Sequence, residues 1–198
     1  GINFWGNSGG LYSNIEINNV TGSTLAAATC IWIMDSIPFF QDIKLNRCDN
    51  GIWVRQYEDN IRTSAVIKDT IIENSRFYGV IVDKNDHTNY TNYVMATFEN
   101  LNISGTGGIN SNGYEFNEGI AAIEVNVSGA IFENINIIDN PVPGFVGYLV
   151  DDTLFLKNID VKNCGKNNSY GHNSGIFILA AFDNGPPVLE NINVSNSI

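Results

Sequence analysis

One six-residue segment, apolar-x-Asn-Ile-x-Ile in its fullest form, returns seven times along the chain and constrains the fold more than any other feature. It reads Phe132-Glu-Asn-Ile-Asn-Ile137, and nearly the same at 98–103, 189–194 and 156–161. It is more loosely kept at 40–45, 12–17 and 67–72. The central amide or carboxylate falls at Asn14, Asp42, Asp69, Asn100, Asn134, Asn158 and Asn191, giving spacings of 28, 27, 31, 34, 24 and 33. A fixed motif at variable spacing means a constant rung with loops of differing length hung from it, the sign of a repeat architecture.

Each motif is followed by turn-forming residues and then, in most copies, by Gly and an apolar run, at 51–54, 79–82, 119–123 and 175–178. These read as strands. A third short strand precedes the Asn, as at 65–67, 96–98 and 130–132. The expectation is an all-β fold, a parallel β-helix (solenoid) of about seven coils with three short strands each, filling 1–198 as a single domain. Alternation sends Ile135 and Ile137 inward, to stack on their equivalents about 4.8 Å away in the next coil. Asparagine, at 30 residues, is the compositional outlier. Its amides can form a ladder, each donating to one neighbour and accepting from the other. Asp42 and Asp69, which only accept, should interrupt that ladder and be exposed or otherwise satisfied.

The formal charge of −11 would repel a phosphate backbone or an anionic membrane surface. Nucleic acid is therefore excluded as an expected partner, and acidic polysaccharides are disfavoured unless calcium bridges them. No apolar run reaches the roughly 20 residues that a membrane-spanning helix needs, so no membrane insertion is expected. The opening Gly-Ile-Asn-Phe-Trp lacks the basic and apolar regions of a signal peptide. The stack also ends at Ser195-Asn-Ser-Ile198 without a helical or polar cap, so the chain reads as a mature or excised piece of a larger extracellular protein.

Cys30, Cys48 and Cys164 are odd in number and follow no metal-ligand spacing, which leaves buried free thiols as the expectation. Cys48 and Cys164 occupy equivalent rungs four coils apart, roughly 19 Å along the axis. That is too far for a disulfide between them.

The Asn-Ile-x-Ile, Asn-x-x-x-x-Gly and Gly-Ile-x-Ile spacings over 12–194 resemble the parallel β-helix repeats of the pectate-lyase-like superfamily. The resemblance implies a right-handed β-helix and a groove over the strand that follows the Gly. It implies no single activity, because lyases, hydrolases, epimerases, phage tailspikes and non-catalytic adhesins share the fold. Outward positions on that strand are Trp32, Trp53 and Arg55, Ile81 and Asp83, and Phe177 and Leu179. A lyase would place calcium-binding carboxylates and a basic residue there, whereas this face reads as mainly apolar.

Asp151-Asp152 and Gly171-His172-Asn173 resemble the paired-Asp and Gly-His-Gly motifs of polygalacturonase-like hydrolases. However, the two Asp residues follow their strand instead of preceding it, which places them in a solvated turn. The segment Asp83-Lys-Asn-Asp-His87 offers oxygen ligands for calcium but lacks a calcium-loop pattern, and a surface turn is the plainer reading. No catalytic residue and no metal site is assigned.

Trp32 and Trp53 fall in the same phase of adjacent coils, so their rings should lie side by side. Two long insertions, 85–95 with Tyr90 and Tyr93 and 105–118 with Tyr114, border the same region. Tyr and Trp offer flat faces to the C–H side of neutral sugars. The expected function is an extracellular or cell-surface carbohydrate-binding or adhesin domain. Its partner is a neutral polysaccharide such as cellulose or a related plant glycan, bound through Trp32, Trp53, Tyr90, Tyr93, Tyr114 and Phe177. In this respect the chain resembles non-catalytic β-helix adhesins, the cellulose-binding tāpirins among them. The competing expectations are a polysaccharide lyase, hydrolase or tailspike-type depolymerase, and a structural spacer of a surface protein or viral fibre.

Overall fold

The structure is a computed structural model, described for residues 1–6, 8–22, 28–57, 63–84, 95–107, 121–126, 129–150, 154–165, 174–180 and 186–197. Among these residues, fourteen strands alternate between two parallel seven-stranded sheets. One sheet runs β1 (Ile2–Trp5), β3 (Thr29–Met34), β5 (Asn50–Gln56), β7 (Tyr78–Lys84), β9 (Ile123–Asn126), β11 (Phe145–Val150) and β13 (Ile176–Ala180). The other runs β2 (Gly9–Asn18), β4 (Ile37–Asn46), β6 (Ser64–Glu73), β8 (Met95–Ser104), β10 (Gly129–Ile138), β12 (Phe155–Lys162) and β14 (Val188–Ser195). Each strand pairs with the strand two further along the chain, so every coil lies beside the next, as in a β-solenoid.

The seven motif residues explain how ten-residue strands bend. Asn14, Asp42, Asp69, Asn100, Asn134, Asn158 and Asn191 all have left-handed backbones, with φ between 50° and 58°. Asn and Asp enter that region more easily than other residues with a Cβ. The ladder register steps over them: Glu133 pairs with Lys157 and Ile135 with Ile159, leaving Asn134 and Asn158 out of the count. Five residues further on, a second left-handed set follows at Asn19, Arg47, Asn74, Gly105, Asp139, Asn163 and Asn196. The expected three strands per coil are thus two. The short strand before each Asn and the motif strand after it form one element with a corner at the Asn.

The side chains stack as alternation requires. Phe40, Ile67, Phe98, Phe132 and Leu156 form one buried column, and Leu45, Ile72, Ile103, Ile137 and Val161 form another. The Phe98 and Phe132 rings lie parallel at 4.8 Å. Asn191 donates to Asn158, Asn158 to Asn134, Asn134 to Asn100 and Asn100 to Asp69, at 2.8–3.1 Å. The ladder stops at Asp69, whose second oxygen accepts from Gln41 at 3.3 Å, and Asp42 is exposed. Both carboxylates therefore meet the expectation for ladder breakers.

Two expectations are corrected. Cys30 and Cys48 are joined by a disulfide, with Cα atoms 5.8 Å apart, so the buried thiols are not all free. Cys30 lies in β3 and Cys48 just past the end of β4. Winding one coil brings them within bonding reach, which their linear separation of 18 does not disclose. Cys164 is free and buried. The strand expected at 119–123 is instead β9, Ile123–Asn126, so a different set of side chains faces outward there.

Gly51, Gly79, Gly144 and Gly175 form a column where the coil enters the first sheet. A Cβ on Gly79 would sit 2.8 Å from the Ala122 carbonyl oxygen and 2.9 Å from an Ile103 methyl carbon. At Gly79 the next coil's backbone leaves no room for a Cβ, although Cys30 and Ala122 hold the equivalent positions in other coils.

Candidate functional site

The outward face of the first sheet carries the densest chemistry among the described residues. Trp32 pairs in register with Trp53, Trp53 with Ile81, Ile81 with Glu124, Glu124 with Val146 and Val146 with Phe177. Two residues along each strand runs a parallel row, in which Trp5, Met34, Arg55, Asp83, Asn126, Tyr148 and Leu179 follow one another.

Trp32 and Trp53 are brought together as expected, stacked at 5.5 Å with planes 18° apart. Both are half-buried. Their rings face each other along the stack, so each ring is covered on one side by its neighbour. The Trp53 indole N–H donates to Asp83 Oδ1 at 2.9 Å. Arg55 lies over the Trp53 ring at 5.4 Å and 3.6 Å from the same Asp83 oxygen. One carboxylate thereby orients both the ring and the cation beside it. Trp32 Nε1 is buried without a hydrogen-bond acceptor.

Phe177 lies at the far end of the row, against Tyr148 at 5.9 Å. The mainly apolar outward face expected along this row is interrupted between Trp53 and Phe177. Ile81 is 7% exposed, Val146 is fully buried and Glu124, at 8% exposed, puts a carboxyl group between them. Burial pushes the Glu124 carboxyl up to about 7, the nearby Asp83 charge adds to the shift, and a hydrogen bond from Tyr78 opposes it. Its Oε2 has no hydrogen-bond partner. Burial and the Glu124 charge also raise the Tyr148 phenol above its ordinary value.

Tyr90, Tyr93 and Tyr114 lie outside the described residues, as do Asp151, Asp152, His172 and His87. Among the described residues, no group of three or more His, Cys, Asp or Glu side chains is placed to hold a metal ion. Nor is any helix among them long and apolar enough to cross a membrane.

Sequence reasoning missed three features. Trp5 and Tyr57 are 62% and 50% exposed, with ring centroids 6.3 Å apart, at the Trp32–Trp53 end of the face. The alternation Ile2-Asn-Phe-Trp5 already places Trp5 outward. Glu124 escaped notice because the strand was set too early, although Ile123-Glu-Val-Asn126 alternates cleanly. The third feature is on the second sheet, where Leu11, Phe39, Val66, Thr97, Ile131, Phe155 and Val188 form an outward, largely apolar row. Each stands three residues before the left-handed Asn or Asp, so the row could have been read from the motif. Compared with family models, with curated proteins and with solved structures, the chain matches none of them.

Proposed function

We propose that this chain is an extracellular glycan-binding domain of a right-handed parallel β-helix, similar in architecture to the pectate-lyase-like superfamily and in role to β-helix adhesins. The observation that carries the reading is the aromatic group at one end of the first sheet. Trp5 and Tyr57 are exposed there beside the Trp32–Trp53 stack and the Arg55–Asp83 pair. Open ring faces suit the C–H faces of neutral sugars, and Arg55 and Asp83 offer a donor and an acceptor to hydroxyl groups. In this arrangement Trp5 and Tyr57 make the stacking contacts, while Trp32 and Trp53 form the wall that holds Arg55 and Asp83. The Cys30–Cys48 disulfide supports an oxidising compartment.

The test is retention on insoluble cellulose and related β-glucans, followed by titration with soluble oligomers. Trp5→Ala is expected to weaken binding by about tenfold or more, the usual scale for loss of an exposed aromatic anchor. Trp53→Ala should weaken it too, by freeing Arg55 and Asp83. Undiminished binding by a Trp5→Ala/Tyr57→Ala double variant would remove this end of the face from the site.

A second reading, glycan hydrolysis, is favoured by one observation. Asp83 and Glu124 lie on neighbouring strands of one face, the first held by Arg55 and Trp53, the second buried and raised to about 7. Two carboxyl groups in unlike environments are what a glycosidase divides between acid and base. Release of reducing ends from a glycan panel, abolished in Glu124→Gln, would favour hydrolysis. Binding without turnover would leave the first reading.

A further inference from the structure

Asp35 stands where the chain leaves the first sheet. The register sets Trp5 beside Met34 and Met34 beside Arg55, so the residues that follow, Gly6, Asp35 and Gln56, occupy equivalent places in successive coils. Gly6 and Asp35 both turn the chain with left-handed backbones, at φ of 64° and 50°. Gln56 instead stays in β5, in register with Lys84, and carries the strand past the corner before Tyr57. Tyr57 is thereby delivered to the surface and is 50% exposed, although β5 has a strand on each side.

A residue that overruns the corner needs a partner for its backbone that the turn does not supply. The Gly6 N–H donates to the Met34 carbonyl and the Asp35 N–H to the Arg55 carbonyl, each at 3.3 Å. The Tyr57 N–H is met by a side chain: it donates to Asp35 Oδ1 at 2.8 Å. Asp35 therefore brackets Gln56, holding Arg55 through its backbone and Tyr57 through its carboxyl group. The Thr63 hydroxyl donates to the same Arg55 carbonyl at 3.2 Å. Asp35 is fully buried, and burying a carboxyl group is costly unless it is bonded. The turn alone does not call for one, because Gly6 makes the equivalent turn with no side chain.

We propose that Asp35 is a positioning residue for glycan binding: its carboxyl group fixes the backbone from which the Tyr57 ring reaches Trp5, 6.3 Å away. The inference rests on the reading of Tyr57 as a sugar-stacking residue. A ring held in place before the sugar arrives loses little freedom on binding, whereas a ring on a loose backbone must be ordered in the complex. Asp35 is buried and acts on the sugar through Tyr57 alone.

Two substitutions separate the carboxyl group from the turn. Asp35→Gly keeps the left-handed corner and removes the acceptor, while Asp35→Asn keeps both. Hydrogen exchange at the Tyr57 amide reads the restraint without a ligand. Protection is expected to fall by about tenfold or more in Asp35→Gly, the scale of one lost hydrogen bond, and to persist in Asp35→Asn. Titration with cellohexaose reads the consequence. Affinity should drop by about fivefold in Asp35→Gly, the scale of ordering one side chain, and recover in Asp35→Asn. In a Tyr57→Ala background Asp35→Gly should change affinity no further, because the two residues act as one unit. A full additional loss in that background would overturn the proposal, as would undiminished affinity in Asp35→Gly. The parent alone is a further check, since an unprotected Tyr57 amide would overturn the proposal whatever the variants do. A parent that binds neither cellohexaose nor insoluble β-glucans would instead sink the glycan-binding reading, and the proposal with it, even where the Tyr57 amide is protected by Asp35.

Discussion

Replacing Asn134 with Ala is expected to destabilise the fold by about 3 kcal/mol, a large effect for an exposed position. Two terms add. Asn134 has φ of 58°, where an Ala residue costs about 1–2 kcal/mol. It also donates to Asn100 and accepts from Asn158, and each bond contributes about 0.5–1.5 kcal/mol. Substitutions separate the two. Asn134→Gly keeps the left-handed backbone without steric cost and should lose only the ladder, about 1 kcal/mol. Asn134→Asp keeps the acceptor and the backbone preference but removes the donor to Asn100. Urea unfolding of the three variants should give Ala as the least stable. Equal small losses in Ala and Gly would mean that the corner does not need an Asn-type residue.

The second large effect is a pH dependence set by Glu124. Its folded carboxyl is raised to about 7 from the ordinary 4.5. Between those values the folded chain holds a proton that the unfolded chain has released. Stability therefore falls as pH rises from 4.5 towards 7, and the loss persists above it. A shift of this size corresponds to about 3 kcal/mol. Glu124→Gln is neutral at every pH, so it should flatten this part of the profile and be more stable than the parent at pH 8. Asp83→Asn removes the neighbouring charge and should move the dependence to lower pH. The net charge of −11 acts on parent and Gln variant nearly alike, so the difference between their urea midpoints isolates the one group. Parallel profiles for the two proteins would show that Glu124 ionises as it does in the unfolded chain.

Both effects arise where local sequence preference meets long-range contact, which separates what could be read early from what could not. The recurrence of Asn or Asp was legible because it is a local matter. These residues tolerate a left-handed backbone, and the alternation around them assigns Ile135 and Ile137 to the interior and, in the same phase, Trp32 and Trp53 to the outside. Parallel stacking then followed from the repeat itself. The stacked tryptophans were accordingly expected and found.

What alternation does not encode is the environment that a side chain meets once several coils are assembled. Phase says that Ile81 and Val146 point away from the interior of the coil, yet both are buried. Phase likewise says nothing of the Cys30–Cys48 pairing, which depends on how far the intervening residues carry the chain before it returns. Where loops vary in length, the start of the next strand floats, and a shift of three residues, which puts Ala122 and not Gly119 beside Gly79, reverses the phase at β9 and hides Glu124. The amino-acid sequence by itself determined the rung, its corner residues and the direction of each side chain, because these depend on neighbours within a few residues. Only the tertiary structure decided which outward residues stay exposed, which cysteines bond and where a carboxyl group keeps its proton. Those depend on contacts between coils, made by residues far apart in the chain, which no local pattern records.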